Sequence, residues 1–427
     1  MSFKLKENLM LGAATAGAQI EGGDENSNWA RFSAEGKIND GTSILRACDH
    51  WNRWREDIDL MADMGIEIYR FGIEWSRIEP ERGSFSAEAV DRYRREIEYM
   101  KERGIRPLMT LHHFTHPLWF EDLGGFTARE SVELYMNYVR FAIESFGDLV
   151  SDYITINEPN VYATNGMLWG TWPPEKKSIG ALIKVYSNMT ACHIAAYNYI
   201  HARRREMGYT DTMVSFANHL RVFAPKNPKN PLHRIASWLS ERLFQGTLTE
   251  AMMTGKCRFP VRHRRGVKRG RYYDFIGINY YSRSTVSGLS DGVSEGCFRN
   301  DLGWEIYHEG LIELSERLNR RYCAPVWVTE NGTCDNTDSF RSRFIYDQLK
   351  LISEKNAPIE RYYHWSFMDN FEWREGEGSR FGVVHVDYES GKRTVKNSCK
   401  LYADIIKNRA VTPEAYALYI ENSHYHK

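Results

Sequence analysis

The sequence predicts an α/β protein folded as a single closed (β/α)8 barrel of the TIM type. Eight short segments that read as strands recur along the chain, and helical stretches separate them. No Pro/Ser-rich linker or low-complexity tract divides the 427 residues. Strands alternating with helices imply a parallel sheet, and barrels are the class in which so long a chain stays one unit. An open nucleotide-binding sheet would want GxGxxG or a P-loop after the first strand, and "GAATAG" (12–17) is neither.

The elements follow in order. "LMLGAATAG" (9–17) reads as the first strand. "WNRWREDIDLMADMG" (51–65) spaces Trp51, Trp54, Ile58, Met61 and Met64 at three- and four-residue steps and stops at Gly65, an amphipathic helix with a glycine cap. The strand "IEIYRFGI" (66–73), the helix "DRYRREIEYMKERG" (91–104) and the strand "IRPLMTLHHF" (105–114) repeat the cadence. A helix near 128–147, closing on Gly147, precedes "DYITIN" (152–157), and a long one ending at Gly208 precedes "DTMVSFANH" (211–219). The last strands are "YYDFIGINYY" (272–281), "APVWVTEN" (324–331) and "ERYYHWSF" (360–367). The expected unit is one catalytic domain over 1–427 with a short C-terminal tail.

Lys+Arg and Asp+Glu balance at 56 each, so no global field favours nucleic acid or anionic lipid. The basic run "RHRRGVKRGR" (262–271) lacks interleaved aromatic residues and reads as a solvated connection. Seven cysteines form no CxxC pair, which argues against a zinc site or disulfide framework and fits a reducing compartment. The glycine-broken N-terminus does not look like a signal peptide, and no 18-residue apolar span exists. The expectation is a soluble cytoplasmic protein without membrane or nucleic-acid partners, cofactor or metal.

Barrel chemistry sits on the loops after the strands' C-terminal ends. There the sequence places Gln19, Arg70, His113, Asn157, Glu158, Asn218, His219, Asn279, Tyr281, Glu330, Asn331 and Trp365. Two of them, Glu158 in "TINEPN" and Glu330 in "VTENG", follow alternating strands. A pair of carboxyls on one barrel face suits acid/base and nucleophilic work on a glycosidic bond. Pro159 fixes φ just beyond the first of them.

"YRFGIEWSRI" (69–78), "INEPN" (156–160), "GINYY" (277–281), "NDLGWEIY" (300–307), "VTENG" (328–332) and "HWSFMDNFEW" (364–373) together resemble family 1 of the glycoside hydrolases, the retaining β-glucosidases. The resemblance runs from about residue 8 to about residue 407. It implies Glu158 as general acid/base and Glu330 as nucleophile, with Arg70 holding Glu330 ionised and Tyr281 donating to it. Asn279 would orient neighbours of the nucleophile. Gln19, His113, Asn157, Glu372 and Trp373 would bind the sugar hydroxyls, over Trp365 as a stacking floor. Relatives acting on 6-phosphorylated sugars carry a serine and a lysine–tyrosine pair where this chain has Glu372 and Phe381, which points to a neutral hexose.

Three stretches depart from the family pattern. "LHHFTHP" has Phe114, Thr115 and His116 for Trp, Asp and Leu; "NEPN" has Asn160 where Trp is common; "HWNRW" (50–54) has two tryptophans where Tyr is more usual. The first is expected to change the pocket near the sugar, the others to alter packing. His112 and His116, four apart, raise a metal reading, disfavoured because ligands at that span on a strand are too distant. The expected reaction is hydrolysis of a small β-glycoside or short oligosaccharide. The alternatives are a non-catalytic sugar-binding relative and a transglycosidase.

Overall fold

The computed structural model describes residues 2–288 and 290–426. Eight parallel strands form the barrel: β1 (Met10–Ala14), β2 (Ile68–Gly72), β3 (Arg106–Thr110), β4 (Asp152–Asn157), β5 (Met213–Pro225), β6 (Ile276–Ser287), β7 (Val326–Asn331) and β8 (Ile359–Trp365). Each pairs with its sequence neighbours, β8 returns to β1, and β5 pairs β6, so the sheet closes. β2, β4 and β7 are buried at every position. That is expected when side chains fill one face and helices cover the other.

A helix follows each strand: α1 (His50–Asp63), α2 (Ala87–Glu102), α3 (Ser131–Phe146), α4 (Ile179–Glu206), α5 (Thr247–Thr254), α6 (Glu309–Tyr322), α7 (Arg341–Glu354) and α8 (Asn397–Asn408). Ser86 and Ser178 cap α2 and α4 by accepting from the backbone N–H three residues on. Beyond α1 and α2 the chain reverses through Gly65 (φ 74°) and Gly104 (φ 78°), left-handed positions that glycine occupies without a steric penalty. Gly147 differs from them: at φ −64° it stays right-handed.

The fold corrects the expected boundaries at two strands. β5 and β6 run past the predicted ends at 219 and 281 and stay paired out to Pro225 and Val286. Ser290–Gly292 adds an antiparallel edge. The stretch beyond residue 281 therefore begins as sheet and raises one wall above the barrel mouth. An additional helix, Pro231–Glu241, occupies the return from that wall. The basic run forms a loop anchored by buried Val267 among Ala191, Ile194 and Tyr272. No helix among the described residues is long and apolar enough to cross a membrane.

One buried charge cluster pins α1 to α2. His50 lies between Asp57 (Nδ1 to Oδ2, 2.8 Å) and Glu96 (Nε2 to Oε1, 2.9 Å), while Arg393 and Arg92 hold the far sides of those carboxylates. Burial opposes charging His50, but Glu96 and Asp57 outweigh it and lift the imidazole to about 9. A raised folded value means this stabilisation is full below the unfolded histidine's value and is lost as pH climbs to about 9. His50→Gln is expected to lose about 3–5 kcal/mol at neutral pH, since it leaves two buried carboxylates short of a charge. Thermal unfolding across pH checks this: the variant's curve should lack the parent's fall above pH of about 6.5.

Candidate active site

The two glutamates face one cavity at the C-terminal mouth of the barrel. It encloses ≈ 190 Å³, and His113, Glu158, Tyr281, Glu330, Trp365 and Glu372 are among its lining residues. At about 15 Å³ per water-sized centre, the space suits on the order of a dozen non-hydrogen atoms, about those of one pyranose ring with its hydroxyls.

Glu158 stands immediately beyond β4, at the N-cap of a short helix, Pro159–Ala163, whose first position is Pro159. Its backbone is left-handed (φ 42°, ψ 57°) and held by a bond from its N–H to the Ala217 carbonyl, 2.8 Å. A non-glycine residue in that region costs on the order of 1–3 kcal/mol, so the surrounding barrel enforces it. The carboxyl Oε1 accepts from Asn279 Nδ2 at 2.8 Å and from His219 Nδ1 at 3.3 Å.

Glu330, near the end of β7, is 3% exposed. Its Oε1 accepts from Arg70 Nη1 and its Oε2 from the Tyr281 hydroxyl, each at 2.5 Å. Arg70 is fully buried and spends its remaining donors on Thr110 Oγ1 (3.1 Å), the Thr329 carbonyl (3.2 Å) and Asn157 Oδ1 (2.7 Å). Arg70 favours the ionised carboxylate, but burial and the neighbouring charge of Glu158 prevail, and Glu330 is pushed up to about 7.

Because an arginine only donates, Asn157 must present its oxygen to Arg70. Its amide nitrogen then faces His113 Nε2 at 2.8 Å, and that ring nitrogen must accept. Burial, then Arg70, keeps His113 far below the usual histidine range, hence neutral. The ring lies between Trp365 and Trp373 at centroid distances of 5.9 and 5.7 Å. Gln19 lies behind the wall on a turn after β1; its Nε2 donates to the Phe371 carbonyl (2.7 Å), Asn370 (3.0 Å) and Glu372 (3.4 Å). Gln19 Oε1 has no bonding partner. Phe381 and Trp373 complete the aromatic lining.

Asn279 lies between the surroundings of the two carboxyls. It reaches Thr329 (2.6 Å), beside Glu330, but its amide nitrogen goes to Asn157 (2.9 Å) and Glu158, so it serves the other carboxyl directly. Lining residues to which the sequence gave no role include Trp172, Arg221 and Trp304, and also His219, which it placed at a strand end only. Trp304 lies inside the quoted "NDLGWEIY", and Arg221 is two residues past His219 on one strand, a same-face spacing that extending β5 would have exposed.

Among the departures, Phe114 does reach the cavity. It adopts φ 68° and packs on Trp172 and Trp373, each at 5.1 Å. Asn160 is buried and donates to the His219 carbonyl at 2.7 Å, so this replacement touches the site rather than only its packing. The His112 and His116 rings are 5.9 Å apart because the chain turns after β3, closer than a strand would bring them. Glu121 takes His116 Nε2 at 2.6 Å, and no group of three or more metal-type ligands exists among the described residues.

Glu372 is a third carboxyl on the cavity. Burial, then the charges of Glu330 and Glu158, pushes it up to about 8. A carboxyl raised on folding stabilises fully below its unfolded value and loses that contribution as pH rises to about 8. Glu372→Gln is therefore expected to raise the unfolding temperature at a pH of about 9 and leave it unchanged at about 4. Differential scanning calorimetry at the two pH values reads the difference.

The sequence model described as Glycosyl hydrolase family 1 matches residues 1–411. Beta-glucosidase A of Thermotoga maritima is 30% identical, with 96% of this chain and 99% of that protein covered. Beta-glucosidase A of Acetivibrio thermocellus is 32% identical, covering 94% and 98%. Among solved structures, a beta-glycosidase from Pyrococcus horikoshii superposes with a TM-score of 0.88 at 33% identity over 98% of both chains. The T. maritima beta-glucosidase in complex with glucoimidazole gives 0.87 at 30% identity, over 95% of this chain and 99% of that one. With its closed barrel and a match over nearly its whole length, the chain belongs to glycosyl hydrolase family 1 and is a glycoside hydrolase.

Proposed function

We propose that the protein is a retaining exo-β-glycosidase that removes terminal non-reducing β-D-glucosyl residues, with β-galactosides and β-fucosides as side activities. The observation that carries this is the pair Glu158 and Glu330 on one pyranose-sized cavity, each with a different set of donors. The cationic donor serves Glu330, so the negative charge belongs there and the proton on Glu158.

In the first step a Glu330 carboxylate oxygen bonds to the anomeric carbon as the glycosidic C–O bond breaks. Glu158 gives its proton to the departing oxygen, so the aglycone leaves as a neutral alcohol. In the second step water attacks the same carbon, its proton passes to Glu158, and Glu330 is released as carboxylate. Two inversions return the β-anomer. The neutral His113 and the buried amides of Gln19 and Asn157 recognise hydroxyls, with Trp365 and Trp373 as apolar walls. Glu372 and Phe381 line the cavity where relatives acting on 6-phosphorylated sugars carry a serine and a lysine–tyrosine pair, which supports a neutral hexose.

Proton NMR of the earliest product from an aryl β-glucoside should show the β-anomer, and α-anomer first would refute retention. Glu158→Ala should slow substrates with poor leaving groups by about 10²–10⁴ fold and activated aryl glucosides far less. Glu330→Gln should lower kcat by about 10⁴ fold or more on both. Equal losses for Glu158→Ala on the two substrate classes would remove its acid role. Transfer to an acceptor sugar differs only in what attacks the intermediate, and product analysis with added alcohol separates it from hydrolysis.

A further inference from the structure

We propose that His219, locked as its Nδ1–H tautomer by Arg221, is a positioning residue that confines the working proton of Glu158 to the carboxyl oxygen Oε2; this rests on the glycosidase reading above. The lock follows from donor chemistry. Arg221 Nε donates to His219 Nε2 at 2.9 Å, and a guanidinium cannot accept, so Nε2 must offer its lone pair. A neutral ring then carries its hydrogen on Nδ1, which faces Glu158 Oε1 at 3.3 Å.

Oε1 already accepts from Asn279 Nδ2 at 2.8 Å. Two N–H donors converge on one oxygen, so Oε1 is the carbonyl-like atom in the acid form and Oε2 bears the proton. The same oxygen receives water's proton in the second step. A donor on Oε1 also steadies that oxygen's negative charge once the proton has left.

The pair is braced on every side, as a tautomer lock requires. Asn160, two residues after Glu158, holds the His219 carbonyl at 2.7 Å. Gln245 clamps the Arg221 backbone through its N–H and its carbonyl, both at 2.9 Å. The His219 ring stacks on Tyr281 (5.9 Å, 16°) and meets Phe244 edge-on, while Arg221 lies over Phe244 at 5.5 Å.

The charged and titratable groups around them are few. Asp291 stands 3.7 Å from Arg221, and Arg70, Tyr281, Glu330 and Glu372 come from the other strands of the cavity. Burial lowers His219's affinity for a proton and outweighs Glu158, in keeping with a neutral ring.

The test uses His219→Phe and Arg221→Met in the full chain, with thermal unfolding confirming that both fold. In His219→Phe the alkaline limb of kcat/KM for a natural-type β-glucoside should move up by about half to one pH unit, the size expected for one lost hydrogen bond to the ionised form. Arg221→Met frees Nε2, so the limb should move down or broaden as the ring charges. A limb unchanged in both folded variants overturns the proposal.

Nitrogen-15 NMR of the unaltered protein gives a readout independent of turnover. A His219 ring with Nδ1 protonated and Nε2 bare supports the lock; the opposite tautomer or an imidazolium at neutral pH defeats it. If the parent protein hydrolyses no β-glycoside, the functional reading fails, yet the NMR result still decides whether the lock exists.

Discussion

The buried pair Arg70–Glu330 is the constraint around which the rest of the barrel is arranged. A guanidinium withdrawn from water costs several kcal/mol unless its donors are satisfied and an opposing charge lies close. Arg70 meets that demand through four strands: it projects from β2 and bonds Thr110 of β3, Asn157 of β4, and Thr329 and Glu330 of β7. Glu330 is thus needed to keep the barrel's own charge balanced, apart from the reactive role proposed for it. The identity of Asn157 follows too, because only a side chain offering an acceptor to Arg70 and a donor to His113 fits between them.

The cavity above is built against stability. Glu158, Glu330 and Glu372 face one space, Glu158 sits in a strained backbone region, and burial and mutual repulsion oppose ionising the last two. Such a site persists because its surroundings over-determine it. Trp365, Trp373, Trp172, Phe114 and Phe381 form a rigid aromatic shell with few rotatable bonds. Preformed donors in a water-poor site need little reorganisation when charge develops in the reaction, which is the use to which that instability is put.

What the sequence revealed, and what it hid, divides along physical lines. Period-two strands and glycine-stopped helices are local patterns, so all eight strands and helices α1 to α4 were legible, as were polar residues such as Arg70 and Glu330 at strand ends. The continuation of β5 and β6 was not, because "LRVFAP" and "SRSTVS" are partly exposed and gain their pairing from each other and from the edge at Ser290–Gly292. The same register carries Arg221 to the cavity, so its part was hidden with the strand. The direct tie of Asn279 to Glu158 was hidden for a related reason. Its side chain reaches toward both, and only three-dimensional donor geometry separates 2.8 Å to Glu158 from an indirect link through Thr329.

The two carboxyls are told apart by the kind of donor each receives rather than by depth. Both are nearly sealed from solvent, at 6% and 3% exposure. A charged donor stabilises an anion about twice as strongly as a neutral one, and the guanidinium reaches Glu330 alone. Glu158 receives an amide N–H and an imidazole N–H, both neutral, which orient a carboxyl without forcing it to ionise. The acid/base role proposed for Glu158 calls for such balanced support. Tyr281 joins the halves: its hydroxyl bonds Glu330 and its ring face stacks on His219, so a shift of either carboxyl is felt across the cavity through a single side chain.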